Sequence, residues 1–241
     1  MAGSAGPEPR STLASLGPVA RQTVQDQVYA ELRRSLIQGA FEAGEVMRIR
    51  DLAARMSIST MPVREALARL ISERALEALP NRSVRVPLIS RSHLEDLAHA
   101  RALIEGELTV MALPRLTQAD QAALRDATQA YDNLAAGRIE TARAAADLNH
   151  DFHFRIYHAA QSQTLVPIVE SLWLQSGPYI RKAAEIFETE RDAPATNHHH
   201  ALLDAIEAKN AKAAHRALLA DIGRAFDILR QRYDFTREAA A

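Results

Sequence analysis

Four polar residues in the second half of the chain occupy positions where a helix would carry apolar side chains. Asn149 and His153 are four residues apart, so they lie one above the other on one helix face. His199 is followed by leucines and an isoleucine at spacings of three, four and seven residues, and Asp221 has a similar relation to its apolar neighbours. A buried carboxylate is costly unless it is paired or bound to a metal. Because imidazoles that converge on a carboxylate from separate helices are ligands for divalent transition metals, the four residues predict a site for an ion such as zinc, nickel or manganese.

The same residues have a simpler interpretation as parts of a helical core. Each histidine would then be buried with its hydrogen bonds satisfied, and Asp221 would pair with an arginine. The run of three histidines at 198–200 adds no support for a site, because three neighbours on a helix point in three directions. Both interpretations remain open at the level of the residues.

A second candidate for chemistry is the stretch "ISTMPVREALARL", residues 58–70. Ser59 or Thr60 is predicted to cap a helix, and Pro62 is tolerated in a first turn that has no backbone partners to lose. The apolar spacing buries one stripe and leaves Arg64 outside, near the helix start. Exposed amides there attract phosphate, and a helix fits the DNA major groove. The alternative is a solvated Arg64 and a cap with no further role.

The elements around this stretch predict a small winged domain. Apolar residues recur every four positions through "TVQDQVYAELRRSLIQG", and Gly39 stands where that helix should stop. "FEAGEV" reads as a turn and "RIRDLAARMSI" as a short second helix. After the third helix, "ALEALP" and "VRVPLI" predict two short strands around the polar turn "NRS". Three helices and a hairpin make a winged helix-turn-helix.

Charge divides the chain into two parts. Residues 21–91 contain twelve Arg against eight Asp or Glu, whereas residues 92–241 contain sixteen Lys or Arg against twenty-one Asp or Glu and hold all nine His. The front part suits a polyanion and the rest does not. There is no cysteine and no apolar run of eighteen residues, so we expect no disulfide, no membrane span and a cytoplasmic protein.

From residue 92 onwards the spacing of apolar residues is helical. The predicted helices are 92–111, 117–135, 139–161, 164–188, 196–208 and 211–233, with breaks at Pro114, Gly137, Pro167, Gly177–Pro178 and Pro194. The predicted fold is therefore mainly α, with a winged helix-turn-helix at 20–89 and an all-α antiparallel bundle at 90–235. We expect residues 1–19 to be a disordered tail rather than a signal peptide, and 236–241 to be a second tail.

The front part resembles the DNA-binding domain of the GntR family of bacterial transcription regulators. The resemblance rests on "LAARMSISTMPVREALARLISERALEALPNRSVRV" and extends over residues 25–89. It implies operator contacts by Arg50, Ser59, Arg64 and Arg82, with Arg64 reading a guanine edge and Arg82, in the wing, reaching the minor groove or its phosphates. The family's usual Arg and Thr are Thr60 and Met61 here, so one phosphate or base contact is lost or changed in kind, and the family's operator sequence does not carry over. Ser83 replaces the glycine of the wing.

The helical part resembles the FCD ligand-binding domain of the FadR-type branch of that family. "LNHDFHFRIYHAAQSQTLVPIVESLW" and "HALLDAIEAKNAKAAHRALLADI" carry the resemblance. It implies a metal held at positions 149, 153, 199 and 221, with Asn149 where Asp is usual and Asp221 where His is usual. Arg101 and Glu105 match a frequent pair of the domain. Arg101 is a candidate to bind an effector carboxylate, or it forms a surface ion pair with Glu105.

These features together predict a transcription regulator with two coupled sites. A homodimer would bind a palindromic double-stranded operator, and a small-molecule effector, an organic acid, would enter the helical domain and change the spacing of the two DNA-reading heads. One alternative is a metal-dependent hydrolase on the helical domain, although no general base is evident and the basic front part would be unexplained. The other is a structural DNA-binding protein with an empty bundle.

Overall fold

The computed structural model describes residues 23–80, 83–134, 139–190 and 197–235. Both predicted tails, together with Arg82, Gly137 and Pro194, lie outside these ranges. The front part contains, in chain order, α1 (Val24–Ile37), β1 (Val46–Arg48), α2 (Ile49–Arg55), α3 (Thr60–Ser72), β2 (Glu77–Ala78) and β3 (Ser83–Arg85). The predicted winged helix-turn-helix is confirmed.

Helix α1 begins and ends where local chemistry dictates. Thr23 and Asp26 form a capping box, in which the Asp26 amide donates to Thr23 Oγ1 at 3.2 Å and the Thr23 amide donates to Asp26 Oδ2 at 3.1 Å. Leu32 and Leu36 are buried in the core that α1 shares with α3, whereas Val24, which begins the same stripe, is half exposed. The chain leaves the helix through Gly39 at φ +64°, the left-handed conformation that the predicted stop requires.

The wing contains one strand more than predicted. Strand β3 pairs antiparallel with both β1 and β2, giving the order β1-β3-β2, with Met47 opposite Val84. Strand β1 has three residues and only its middle one, Met47, is buried. A segment that short shows no alternation of apolar and polar residues, so the sequence pattern could not separate it from the preceding turn.

The predicted cap of α3 is correct in its position but not in its hydrogen bond. Ser59 occupies the N-cap position with φ −71° and ψ 161°, but its side chain makes no capping hydrogen bond, and Thr60 is already the first residue of the helix. Sequence preference at a helix start identifies the position, but the rotamer of an exposed serine depends on what else its hydroxyl can contact. The inner face of α3 is firmly anchored, since Val63, Ala66 and Leu70 are fully buried.

The second part is a helical bundle, as predicted. It consists of α4 (Arg91–Ala112), α5 (Gln118–Asp132), α6 (Ile139–Ala159), α7 (Leu165–Glu190), α8 (Asn197–Glu207) and α9 (Ala211–Arg232). Helix α4 packs against α6, α7 and α9, and α8 packs against α5 and α9. The core between them includes Leu108, Leu124, Phe152, Leu202 and Leu218.

The predicted breaks within α7 do not occur. Pro167 lies in the first turn, where no backbone partner is lost, and Pro178 lies inside the continuous helix. Pro178 and the neighbouring Gly177 and Ser176 are buried, and α7 packs against α1, α4 and α9. This tertiary packing outweighs the local preference of proline for a helix end.

The two parts of the molecule meet where α1 crosses α7. A Cβ atom added to Gly177 would lie 1.9 Å from the backbone oxygen of Leu36, so the two helices approach more closely than any side chain permits. Leu174, one turn earlier on α7, is buried in the hydrophobic core of the front part. A glycine at 177 is therefore a condition for this docking.

Replacing Gly177 by alanine is expected to lower the free energy of unfolding by about 1–3 kcal/mol, because backbone must move to admit the methyl group. Gly223 in α9 is the matched control, since a Cβ there would meet only Asp227 Oδ2 at 3.8 Å. Gly223→Ala should be neutral or stabilising by up to about 1 kcal/mol. Urea unfolding of both variants checks this, and an equally stable Gly177→Ala protein would contradict the close crossing.

Within the described ranges, no helix combines the length and the apolar character needed to cross a lipid bilayer.

Candidate functional site

The start of α3 presents an exposed polar surface on an anchored helix. Ser59, Thr60, Met61 and Arg64 are all exposed, Met61 to 59 %. Because Ser59 makes no capping bond, the first amides of α3 are not covered by a local side chain. Such a helix start carries partial positive charge and unpaired donors, which is the arrangement that binds phosphate.

Of the two other arginines predicted to contact DNA, the structure describes one. Arg50 is the second residue of α2 and is exposed. Arg82 lies outside the described residues, so its prediction stays untested. Next to it, Ser83 is half-buried at the start of β3, and its hydroxyl donates to the backbone oxygen of Pro80 at 3.3 Å. This bond within the wing turn is one that the glycine usual in the family could not form.

Three of the four predicted metal-binding residues come together inside the bundle. His153 from α6, His199 from α8 and Asp221 from α9 have ligand atoms that all lie within 4.8 Å of one another. His153 Nε2 is 2.9 Å from Asp221 Oδ2, and His199 Nε2 is 3.6 Å from the same oxygen. Both histidines are buried, and Asp221 is one-tenth exposed. The fourth residue, Asn149, is half-buried one turn before His153, and no described hydrogen bond joins its amide to the cluster.

A chain of hydrogen bonds orients His153. The Tyr157 hydroxyl donates to Glu105 and lies 3.2 Å from His153 Nδ1. Since the tyrosine proton is used by the carboxylate, its oxygen accepts from a protonated Nδ1. His153 Nε2 then faces Asp221 either as a free lone pair or, in a charged ring, as a donor. The first form is a metal ligand with its second nitrogen held by an outer partner.

The environment of His199 also fits a bound ion. Its ring stacks on Phe152 with centroids 4.1 Å apart, and its buried Nδ1 has no hydrogen-bond partner among the described residues. Nε2, not Nδ1, is the nitrogen that faces Asp221, so an ion held by the cluster would bind Nε2 and would leave Nδ1 as it is. Two imidazoles and one carboxylate are a donor set that divalent transition metals accept, and three protein ligands leave coordination positions open for an effector.

The carboxyl of Asp221 is held in its ionised form. Burial by itself would raise its pKa, but hydrogen bonds from His153 and His199 and the charges of the two rings outweigh burial, so the pKa is lowered well below its usual range. A carboxyl group that stays ionised contributes the negative charge that a divalent metal or two charged imidazoles require.

This lowered pKa makes a prediction for acid stability in the presence of a chelator. A depressed folded-state pKa contributes stability above the unfolded value of about 4, and that contribution is lost as the pH falls further. Asp221→Asn should therefore be less stable than the original protein at pH 7, and the difference should shrink below about pH 4. Urea unfolding across this range checks it; a constant difference would contradict the assigned shift.

Arg101 forms the predicted pair with Glu105, but the pair is buried and not on the surface. Arg101 Nε lies 2.5 Å from Glu105 Oε1, and the two side chains are 3 % and 0 % exposed. Glu105 also accepts from the Trp173 indole at 3.0 Å, and the guanidinium lies 4.7 Å from the Trp173 ring centroid. The i,i+4 spacing identified the pair, whereas its burial depends on α6 and α7 covering it.

Sequence reasoning missed two residues of this network, Tyr157 and Trp173. Tyr157 lies four residues after His153, a spacing that places both on one helix face and could have drawn attention to it. Trp173 is the only tryptophan of the chain, but nothing in its local sequence indicates that its indole reaches Glu105. That contact depends on how α7 packs against α4.

Comparison with known proteins agrees with the two-part organisation. The model of bacterial regulatory proteins of the gntR family matches residues 24–86, and the FCD domain model matches residues 96–224. The chain is 27 % identical to the HTH-type transcriptional regulator McbR of Escherichia coli K12 over 86 % of this chain and 93 % of McbR. It is 33 % identical to the Nta operon transcriptional regulator of Aminobacter aminovorans over 55 % of this chain and 61 % of that protein.

Solved structures show the same fold. The structure of E. coli McbR superimposes with a TM-score of 0.78, at 27 % identity, over 88 % of this chain and 99 % of that one. A GntR transcriptional regulator from Rhodococcus sp. RHA1 reaches a TM-score of 0.70 at 22 % identity, over 87 % and 99 % of the two chains, which supports the fold alone. The matched models and these relatives are regulators, which argues against the hydrolase alternative. The chain belongs to the GntR family and is a transcriptional regulator with an FCD domain.

Proposed function

We propose that the protein binds a palindromic operator as a homodimer, in the cytoplasm, and that a small organic acid bound in the FCD domain controls this binding. The observation that carries the proposal is the buried cluster of His153, His199 and Asp221, which could hold a metal ion, in a chain whose other end is a winged helix-turn-helix. Two-fold symmetry of the protein would match two-fold symmetry of the operator.

We assign direct DNA contact to the exposed residues at the start of α3 and to the basic residues around it. Arg64 is the base-reading residue, because an exposed arginine one turn inside a recognition helix can form the two-pronged contact with guanine. Arg50 and Arg82 contact the backbone or minor groove, Ser59 and the free α3 amides contact phosphate, and Thr60 and Met61 set the local base preference.

We assign effector binding to the metal cluster and its arginine. A divalent ion held by His153, His199 and Asp221, with Asn149 as a further oxygen donor, would polarise and orient an acid oxygen. Glu105 occupies the Nε and Nη2 side of Arg101, so an effector carboxylate would contact the Nη1 side of the guanidinium. With the ion, the group of Arg101, Glu105, Asp221 and metal carries a net single positive charge, which one carboxylate balances.

A thermal-shift screen of small carboxylic acids, run with zinc or manganese and again with chelator, tests this assignment. The expected hit raises the melting temperature only when metal is present, and in a gel-shift assay it changes the affinity for DNA upstream of the protein's own gene. An acid that binds at saturation without changing DNA affinity would contradict the control mechanism. Turnover of the acid would instead support the hydrolase.

A further inference from the structure

The contacts of α1 with the helical domain are of two kinds. The first is the close docking of α1 on α7, reinforced by Arg181, whose Nη1 donates to the backbone oxygen of Gly39 at 3.0 Å and whose Nη2 donates to Glu42 at 3.1 Å. A Cβ on Gly39 would lie 2.8 Å from Arg181 Cβ, so this contact leaves no free space. This docking therefore holds one point of α1 in place on α7.

The second contact joins α1 to α6. Asp147 accepts from Arg34 Nη2 at 2.5 Å and from Gln38 Nε2 at 2.5 Å. Arg34 and Asp147 side chains are 61 % and 36 % exposed, so water screens the pair and its intrinsic strength is small. A contact of this kind can be made and released at low cost, unlike the buried docking on α7.

Helix α6 connects Asp147 to the metal cluster. Asp147 precedes His153 by six residues on one continuous helix, which is about 9 Å along the axis. Six residues correspond to about one and two-thirds turns, so Asp147 can face α1 while His153 faces α8 and α9. Any displacement of α6 that accompanies occupancy of the cluster therefore also displaces Asp147.

Within the front part, α1 is firmly connected to the recognition helix. The Tyr29 hydroxyl on α1 donates to both carboxylate oxygens of Glu73, the C-cap residue that directly follows α3, at 2.8 Å. Arg69 of α3 lies over the Tyr29 ring at 3.6 Å. A shift of α1 would consequently move α3, which carries Arg64 at its other end.

We propose that Asp147 is a latch through which the FCD-domain site controls the position of the DNA-binding domain. Occupancy of the cluster shifts α6, the shift makes or breaks the bonds from Asp147 to Arg34 and Gln38, and α1 then pivots on its docking with α7. Asp147 is a positioning residue that contacts neither DNA nor metal. The inference rests on the proposed function, because it concerns the regulation of that same site.

Hydrogen–deuterium exchange of the α1 amides tests the latch in a double-mutant cycle. Asp221→Asn perturbs the cluster without a large change of shape, and Asp147→Asn removes the latch charge. With the latch intact, Asp221→Asn should change α1 exchange by about threefold or more; in the Asp147→Asn background the change should vanish. Glu207→Gln, which removes another exposed ion pair with Arg125, is the control background and should keep the full response.

Addition of zinc is a second way to perturb the cluster, and it needs no substitution there. Zinc binding is monitored by Trp173 fluorescence. Trp173 lies 5.3 Å from the His153 ring, so its emission should report the metal in all backgrounds, with unchanged affinity in Asp147→Asn. An α1 response that survives Asp147→Asn, under either perturbation, would overturn the latch. Failure of zinc to bind would contradict the proposed metal site alone, because the Asp221→Asn cycle still decides the latch.

Discussion

Replacing Arg64 by alanine is expected to weaken binding to the operator by about 30-fold or more, while the fold and the proposed homodimer stay intact. Each arginine that reads a guanine contributes about 1–3 kcal/mol, and a dimer on a palindrome loses two such contacts. The fold should be insensitive because Arg64 is exposed and the buried face of α3 is formed by other residues. A gel-shift titration with the upstream DNA measures the loss.

The control for Arg64 is an arginine far from the DNA-binding surface. Arg125 lies on α5, is half exposed and pairs with Glu207. Arg125→Ala removes the same charge from each chain and should leave operator affinity within about twofold, because a distant charge is screened at physiological salt. Equal affinities of the Arg64→Ala protein and the original protein would remove Arg64 from the DNA-contacting residues.

Replacing His153 by alanine is expected to abolish stoichiometric metal binding and to raise the effector concentration needed to change operator binding. The substitution removes one of the three proposed protein ligands and leaves Asp221 with His199 alone, at 3.6 Å. Loss even of an outer partner of a ligand typically lowers metal affinity 10–100-fold, so loss of the ligand itself should cost more. Metal analysis after gel filtration and an effector titration in the gel-shift assay provide the two measurements.

His158→Ala is the matched control for this effect. His158 lies on the same helix and is exposed, and its ring centroid lies 5.8 Å from that of Phe154. The substitution should leave both metal content and effector response unchanged. If His153→Ala also retained its metal and its effector response, the cluster would have to be regarded as a buried ion-pair network without a ligand.

The comparison of sequence with structure separates local from tertiary determinants. Helical periodicity placed His199 and Asp221 on core-facing positions, and the structure brings them to within 3.6 Å although they lie on different helices. Metal binding there stays a prediction. The same local rules failed for Pro178, because packing against three helices keeps α7 continuous there. They also failed for the capping hydrogen bond of Ser59, because an exposed hydroxyl can bind water as well as a backbone amide.

The features that could not be predicted are those created by contacts between distant segments. The burial of Arg101 with Glu105 requires Trp173 from α7 and Tyr157 from α6 to cover the pair. The approach of Leu36 to Gly177 joins residues that are far apart in sequence, and a glycine in a helix indicates nothing about its partner. Both arrangements depend on the position of α7 between the two domains. The spacing of apolar residues along the sequence does not specify that position.

The central claim is that the basic front part recognises a specific operator and the FCD domain controls that recognition. The most direct test is a competition measurement between the DNA upstream of the protein's own gene and a random duplex of equal length and composition, at physiological salt. We expect a preference of about a thousandfold or more for the upstream DNA, as specific DNA-binding proteins show. Equal affinity for the two duplexes would contradict the account.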